Sequence, residues 1–312
     1  MRLPVKLQHF RSLAVAVALS LPPAAHGEAD VSQWDGSRAM THIEEQLRFT
    51  PRSMDTPGHQ KTIDYIKTEL AKSGVTAVTT QDFVYRSGGK LLALFNIVAR
   101  LNPENPRRVI VATHYDSIIR AYRDSKNPQA AMPGANNSAS GVALLLETAR
   151  VLSASPPPPV GIDLIFFDGE EGPKSLGAGD PDWHPIGSPH FVEHLKDYYP
   201  NGKAEKAVDF DMVCKKDILL MPEASSVKTA PAEVKAFWEL GAAIAPKAFS
   251  TRLTYPISDD HTALNEAGIP SFLVIDFEYE PYFNTSEDTL DKCSAQSLET
   301  VGRTLLRYLY LR

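Results

Sequence analysis

The residues best suited to chemistry in this chain are carboxylates and histidines placed just after short apolar runs. Glu170 and Glu171 follow the run 160–167 across Asp168-Gly169, and His114 and Asp116 follow 108–113. Asp211 falls in 207–213, and Asp259, Asp260 and His261 open a helical stretch. Oxygen and imidazole donors gathered in this way are what a borderline cation such as zinc takes, and a carboxylate left outside the coordination sphere can carry protons. Taken singly, each residue has a plainer use in capping a helix or satisfying a loop, so the weight rests on the set.

Those residues act together only if the elements carrying them converge. The spacing of Ile63, Tyr65, Ile66 and Leu70 predicts a helix over 59–73, stopped by Gly74, and a shorter one covers 37–47. Residues 75–85, 91–101 and 108–113 are rich in β-formers, and the continuous apolar run 160–167 reads as a strand buried on both faces. The small residues of Pro133-Gly134-Ala135-Asn136-Asn137-Ser138-Ala139-Ser140-Gly141 open a helix to about residue 152, where backbone approaches a neighbour closely. Beyond it the pattern predicts a helix over 190–197, the strand 207–213 with Asp209 and Asp211 on one face, and a helix over 230–244. A short strand at 252–255, a helix ending at 266, the strand 271–276 and a closing helix over 294–311 complete the chain. The stretch 117–133 is long for a plain connection and reads as a loop lining the site. Strands alternating with helices predict an α/β fold, a three-layer sandwich with a mixed, largely parallel sheet flanked by helices. Sheets of this kind place their chemistry beyond the carboxyl ends of the strands. With no internal repeat and no Pro/Gly boundary, residues 28–312 are predicted to form a single domain.

A chain of 312 residues that is 43% hydrophobic can bury a substantial core. A net charge of −6 without a basic stripe argues against a nucleic-acid partner. Arg2, Lys6 and Arg11, the apolar run 13–21 and Ala25-His26-Gly27 follow the pattern of a secretory signal peptide over residues 1–27. The expected product is secreted or periplasmic, an uncleaved anchor being the lesser alternative, and no stretch is long enough for a stable membrane span. Cys214 and Cys293 are compatible with one bridge or with two thiols.

The series His114-Tyr115-Asp116-Ser117, the Pro133 to Gly141 motif, Phe166-Phe167-Asp168-Gly169-Glu170-Glu171, Asp211-Met212-Val213, Asp259-Asp260-His261 and Phe283-Asn284-Thr285-Ser286-Glu287-Asp288 resembles the zinc aminopeptidase and animal-type glutaminyl cyclase superfamily. The resemblance runs in order from about Phe49 to the C-terminus. The Phe-Phe-Asp-Gly-Glu-Glu wording and the doubled aspartate before His261 bring it closer to the cyclases. It implies a zinc-aminopeptidase-like fold, a peptide or protein N-terminus as substrate, and cyclisation of N-terminal glutamine to pyroglutamate with loss of ammonia. It assigns proton transfer to Glu170, a supporting carboxylate network to Asp211 and Asp259, and contact with substrate to Tyr279 and Phe283. Zn2+ would sit at the positions of Asn137, Glu171 and Asn284.

Two of those three positions depart from the pattern, since Asn137 stands where the family has aspartate and Asn284 where it has histidine. A neutral amide oxygen is a poor zinc ligand beside carboxylate or imidazole, so zinc is expected to bind weakly or not at all. His114 and Asp211 occupy the positions that serve a second metal in two-zinc aminopeptidases, which offers a shifted site with Glu171. The other nearby histidines, His184 and His190, read as surface residues. The chain therefore reads first as a cyclase-type enzyme with a degraded metal site. The alternatives are a zinc-dependent aminopeptidase and a metal-free relative that binds peptide N-termini without turnover.

Overall fold

The computed structural model describes residues 30–172 and 183–311, and the expected signal peptide lies outside them. Helices α1 (Gly36–Leu47) and α2 (Pro57–Lys72) precede strands β1 (Ala77–Ser87), β2 (Lys90–Leu101) and β3 (Arg108–His114). Helix α3 (Ala139–Ala154) leads to β4 (Gly161–Phe167), and α4 (Gly187–Glu193) with α5 (Leu195–Tyr198) leads to β5 (Lys206–Asp211). Then come α6 (Ala224–Thr229), α7 (Pro231–Ile244), α8 (Asp260–Glu266), β6 (Ser271–Ile275) and α9 (Ala295–Leu309).

Among the described residues the strands form one sheet in the order β1-β2-β4-β3-β5-β6. The β1/β2 and β2/β4 pairs are antiparallel and the other three parallel. The predicted strand β3 and the run predicted as a buried strand, β4, occupy the centre and are both buried along their whole length. Their alternation sends Val109, Val111, Leu164 and Phe166 to one face, under α1, α2, α3, α7 and α9. Ile110, Ala112, Ile165 and Phe167 face the other way, against Phe191 of α4 and Leu264 of α8. The result is the three-layer α/β sandwich read from the sequence. Helix α3 carries the chain from β3 to β4 on one side, and the chain then returns past β3 to place β5 on the other. That reversal opens a crevice at the carboxyl ends of the central strands.

A charge in the middle of β4 is tolerated because it is fully paired. Asp163 accepts from Arg108 Nε at 2.9 Å and Nη2 at 2.5 Å, and from the Tyr199 hydroxyl at 2.7 Å. A buried carboxylate left without such partners would cost several kcal/mol. Gly141 shows why the entry to α3 is built from small residues. A Cβ there would lie 1.9 Å from Thr113 Oγ1 and 2.8 Å from the Phe210 carbonyl.

Two local expectations are corrected, and one helix, α6, was not foreseen. Residues 252–255 do not form a strand; Thr254 alone pairs, in an isolated bridge with Glu223, while Leu253 and Tyr255 stay exposed. The helix expected over 190–197 begins earlier, at Gly187, and breaks at His194, which leaves helical geometry at φ −112° and ψ 21°. Helix α6 carries no strong periodicity; it starts because the Glu223 carboxylate accepts from Ser225 N and Ser226 N. No helix of the described residues is long and apolar enough to cross a membrane.

Cys214 and Cys293 are bridged, joining the exit of β5 to the start of α9 across a separation of 79 residues. A link closing so long a loop stabilises chiefly by restricting the unfolded chain. Replacing both cysteines by serine is expected to lower unfolding stability by about 2–4 kcal/mol in denaturant titration. An unchanged denaturation midpoint would show that the bridge contributes nothing.

Candidate active site

The tip of β4 turns through Gly169, at φ 73°, to present Glu170 and Glu171. Two buried aspartates hold this turn. Asp168 accepts from Phe95 N at 2.8 Å and pairs with His59 Nε2 at 2.8 Å. Asp116 accepts from Glu170 N and Glu171 N, each at 3.1 Å, so its carboxylate builds the turn instead of facing a ligand. Above them opens a cavity of about 500 Å³. Glu170, Glu171, Asp211 and Asp259 are on its lining, with Asn137 and Asn284 beside them and Trp183, Ile257, Phe277 and Phe283 as apolar wall.

The three positions expected to hold zinc do converge. Asn137 Nδ2 donates to Glu171 Oε1 at 2.6 Å and lies 3.4 Å from Asn284 Oδ1. Asp288 fixes the first of them by accepting from Asn136 N at 2.9 Å and Asn137 N at 3.1 Å. The donor set is nevertheless two neutral amides and one carboxylate, and Asn137 points an N–H at the carboxylate that should bind metal. It does not fit a zinc ion of the expected kind.

The shifted set does not assemble either. His114 lies beneath the cavity floor, 1% exposed, with Nε2 3.3 Å from Asp211 Oδ1 and Nδ1 3.4 Å from Asp116 Oδ1. Among the described residues, groups of three potential ligands with donor atoms within 4.8 Å of one another are His190, Glu193, His194 and Asp209, Asp259, Asp260. Neither contains Glu171. The three aspartates are buried in other work: Asp209 accepts from His261 N at 2.9 Å, Asp259 from Asp260 N at 2.7 Å, and Asp260 from Ser188 Oγ.

The gathering of Glu170, Glu171, Asp211, Asn137 and Asn284 on one cavity can now be set beside known proteins. The pattern of Peptidase family M28 matches residues 96–309. The chain belongs to this family. Aminopeptidase YwaD of Bacillus subtilis is 32% identical over 227 residues, which is 69% of this chain and 44% of YwaD. This M28 chain thus spans less than half the length of that relative. A glutaminyl cyclase from Tannerella forsythia superposes with a TM-score of 0.82 at 31% identity, covering 89% of this chain and 99% of the cyclase. A leucine aminopeptidase precursor from Bacteroides thetaiotaomicron superposes at 0.83 with 29% identity, covering 91% and 99%.

In this M28 site, burial sets the proton affinities. Glu170 is pushed well above the usual carboxylate range by burial, reinforced by Asp259, Glu171 and Asp260 and opposed by His114. Burial also lifts Glu171 to about 8, with Asp116 and Asp211 adding to it and His114, then Asn137, opposing. Asp259 is lifted to about 6 by burial and then by Asp211. Carboxyls raised in the folded state bind protons more tightly there than in the unfolded chain. Their contribution to stability is therefore full at low pH and is lost as pH rises through the folded values. The thermal midpoint is expected to be about 2–4 °C higher at pH 6 than at pH 8, and Glu171→Gln should flatten the difference. Equal midpoints at the two pH values would contradict this electrostatic picture.

Phe283 lines the cavity as expected, but Tyr279 does not. Tyr279 is 1% exposed, and its hydroxyl donates to Asp288 Oδ1 at 2.7 Å, so it supports the Asn136-Asn137 turn from behind. The loop 117–133 also stands behind the site. It packs Ile118, Ala121 and Met132 together and donates Arg123 N to the Asn284 carbonyl at 3.3 Å. The apolar wall instead comes from Trp183 and from Tyr255, Pro256 and Ile257, which carry no periodic signal in the sequence.

Proposed function

We propose that this M28 chain takes the N-terminus of a peptide into the cavity and cyclises an N-terminal glutamine, with Glu170 moving the proton. The observation that carries this reading is the placement of a third acid, Asp259, on the same buried lining as Glu170 and Asp211. The carboxylates attract an N-terminal amine, and the wall of Ile257, Phe277 and Phe283 takes the apolar parts of the residues that follow. In the reaction the α-amine nitrogen bonds to the γ-amide carbon, the carbon–nitrogen bond of that amide breaks, and ammonia leaves. Glu170 accepts the proton from the attacking amine and returns it to the departing nitrogen, the work for which a carboxyl of raised proton affinity is suited. No step is routed through zinc, because the amides of Asn137 and Asn284 do not supply its ligands.

The hydrogen bond from Asn137 to Glu171 favours a second reading, a protein that binds peptide N-termini without turnover. Export accompanies either reading: the Cys214–Cys293 bridge belongs with an oxidising compartment, as does the signal-like sequence of residues 1–27. The test is incubation of the chain lacking residues 1–27 with a glutamine-initiated peptide and with an aminoacyl amide. Ammonia release with a pyroglutamyl product from the peptide is expected. Hydrolysis of the aminoacyl amide in its place would make the chain an aminopeptidase, and saturable binding with no product would favour the second reading.

A further inference from the structure

A second cluster of metal-binding side chains lies at the end of α4, outside the carboxylate cavity. His190 and His194 are four residues apart and Glu193 lies between them, so one helical turn brings all three to the same side. The two rings are 4.3 Å apart between centroids, and one donor atom from each of the three residues lies within 4.8 Å of the others. We propose that His190, Glu193 and His194 form a surface site for one divalent transition-metal ion of the zinc, nickel or copper class.

Two further contacts prepare the imidazoles for that role. His194 Nδ1 is 2.9 Å from the carbonyl of His190. A carbonyl only accepts, so Nδ1 carries the hydrogen and the Nε2 lone pair is left for a ligand. The same kind of bond orients metal-ligating histidines generally. His190 stacks on Phe83, with centroids 4.0 Å apart and planes inclined by 12°, which holds its ring in place before any ion arrives.

The donor set selects the ion. Two imidazoles and one carboxylate suit zinc, nickel or copper, whereas calcium and magnesium take sets of oxygens. Three protein ligands leave a coordination position for water. Glu193 and His194 are exposed, so the ion can enter from solvent. None of the three residues lines the cavity, and the opposite side of α4 is committed to the interior through Phe191 and through Ser188, which donates to Asp260. A zinc count on the whole chain therefore reports this site as well as anything at Glu171.

The test is calorimetric titration of chelator-stripped protein with zinc chloride at neutral pH, with calcium and magnesium as competitors. One zinc per chain is expected, undisturbed by the competitors. His194→Gln and His190→Gln should each weaken it by at least about tenfold, since a site of this kind fails when one ligand is removed. Glu171→Gln should leave it unchanged. The proposal is overturned if the parent protein binds no zinc above a buffer blank, if His194→Gln binds it as the parent does, or if Glu171→Gln abolishes it.

Discussion

The double variant Asn137→Asp with Asn284→His is expected to bind zinc at the cavity more tightly than the parent by on the order of a hundredfold or more, since even outer partners of metal ligands account for 10–100-fold. The backbone at both positions is already in place. Asp288 holds residues 136 and 137 through their N–H groups, and Arg123 N binds the carbonyl of residue 284. Residue 284 sits at φ 54°, a left-handed conformation that histidine shares with asparagine and aspartate more readily than other side chains do. The single changes should fall well short of the pair. Asn137→Asp alone replaces an N–H that donates to Glu171 at 2.6 Å by a second carboxylate, so the two acids repel and the thermal midpoint should drop in the absence of metal. Zinc should restore it in the double variant, where the ion compensates both charges and the imidazole completes the set. Titration is best done in a His194→Gln background, so that the surface cluster does not contribute. If the double variant binds no more zinc than the parent, the three positions do not form a metal site in solution. Tight binding with faster ammonia release would identify the chain as a cyclase whose metal ligands have been exchanged.

Glu170→Gln is expected to lower kcat for ammonia release by about 10²–10⁴-fold with little change in KM. The substitution keeps the shape of the side chain and removes only the group that can take up and return a proton. It should not unfold the protein. A carboxyl buried beside Asp259, Glu171 and Asp260 is electrostatically unfavourable, and its neutral replacement should hold or raise the thermal midpoint. Circular dichroism and the melting profile separate loss of chemistry from loss of fold. A variant that keeps most of the parent rate would move the proton transfer to another acid, with Asp259 the next to test.

The outline of this molecule is written in local patterns. The run that became β4 announces itself by apolar character broken only at Asp163, and burial of both its faces follows from that character; β3 was legible as a strand, but its burial came from its place at the centre of the sheet. Glu170, Glu171, Asp211 and Asp259 were legible as candidates because each stands where an apolar strand ends or a helix begins. The close approach of α3 was legible in the small residues around Gly141. What the sequence could not settle was which of these residues meet. Asn137 and Asn284 are 147 positions apart, and only the packing of two loops against Asp288 and Arg123 brings them to the same carboxylate. Tyr279 and Phe283 are one helical turn apart in spacing, yet one hydroxyl is turned inward to Asp288 while the other ring faces the cavity. The choice between a bridge and two thiols at Cys214 and Cys293 likewise waited on tertiary structure, because a loop of 79 residues carries no local record of its closure. The same holds for His190, Glu193 and His194. Their spacing is visible in the sequence, but the ring of Phe83 and the carbonyl that orients His194 come from the fold.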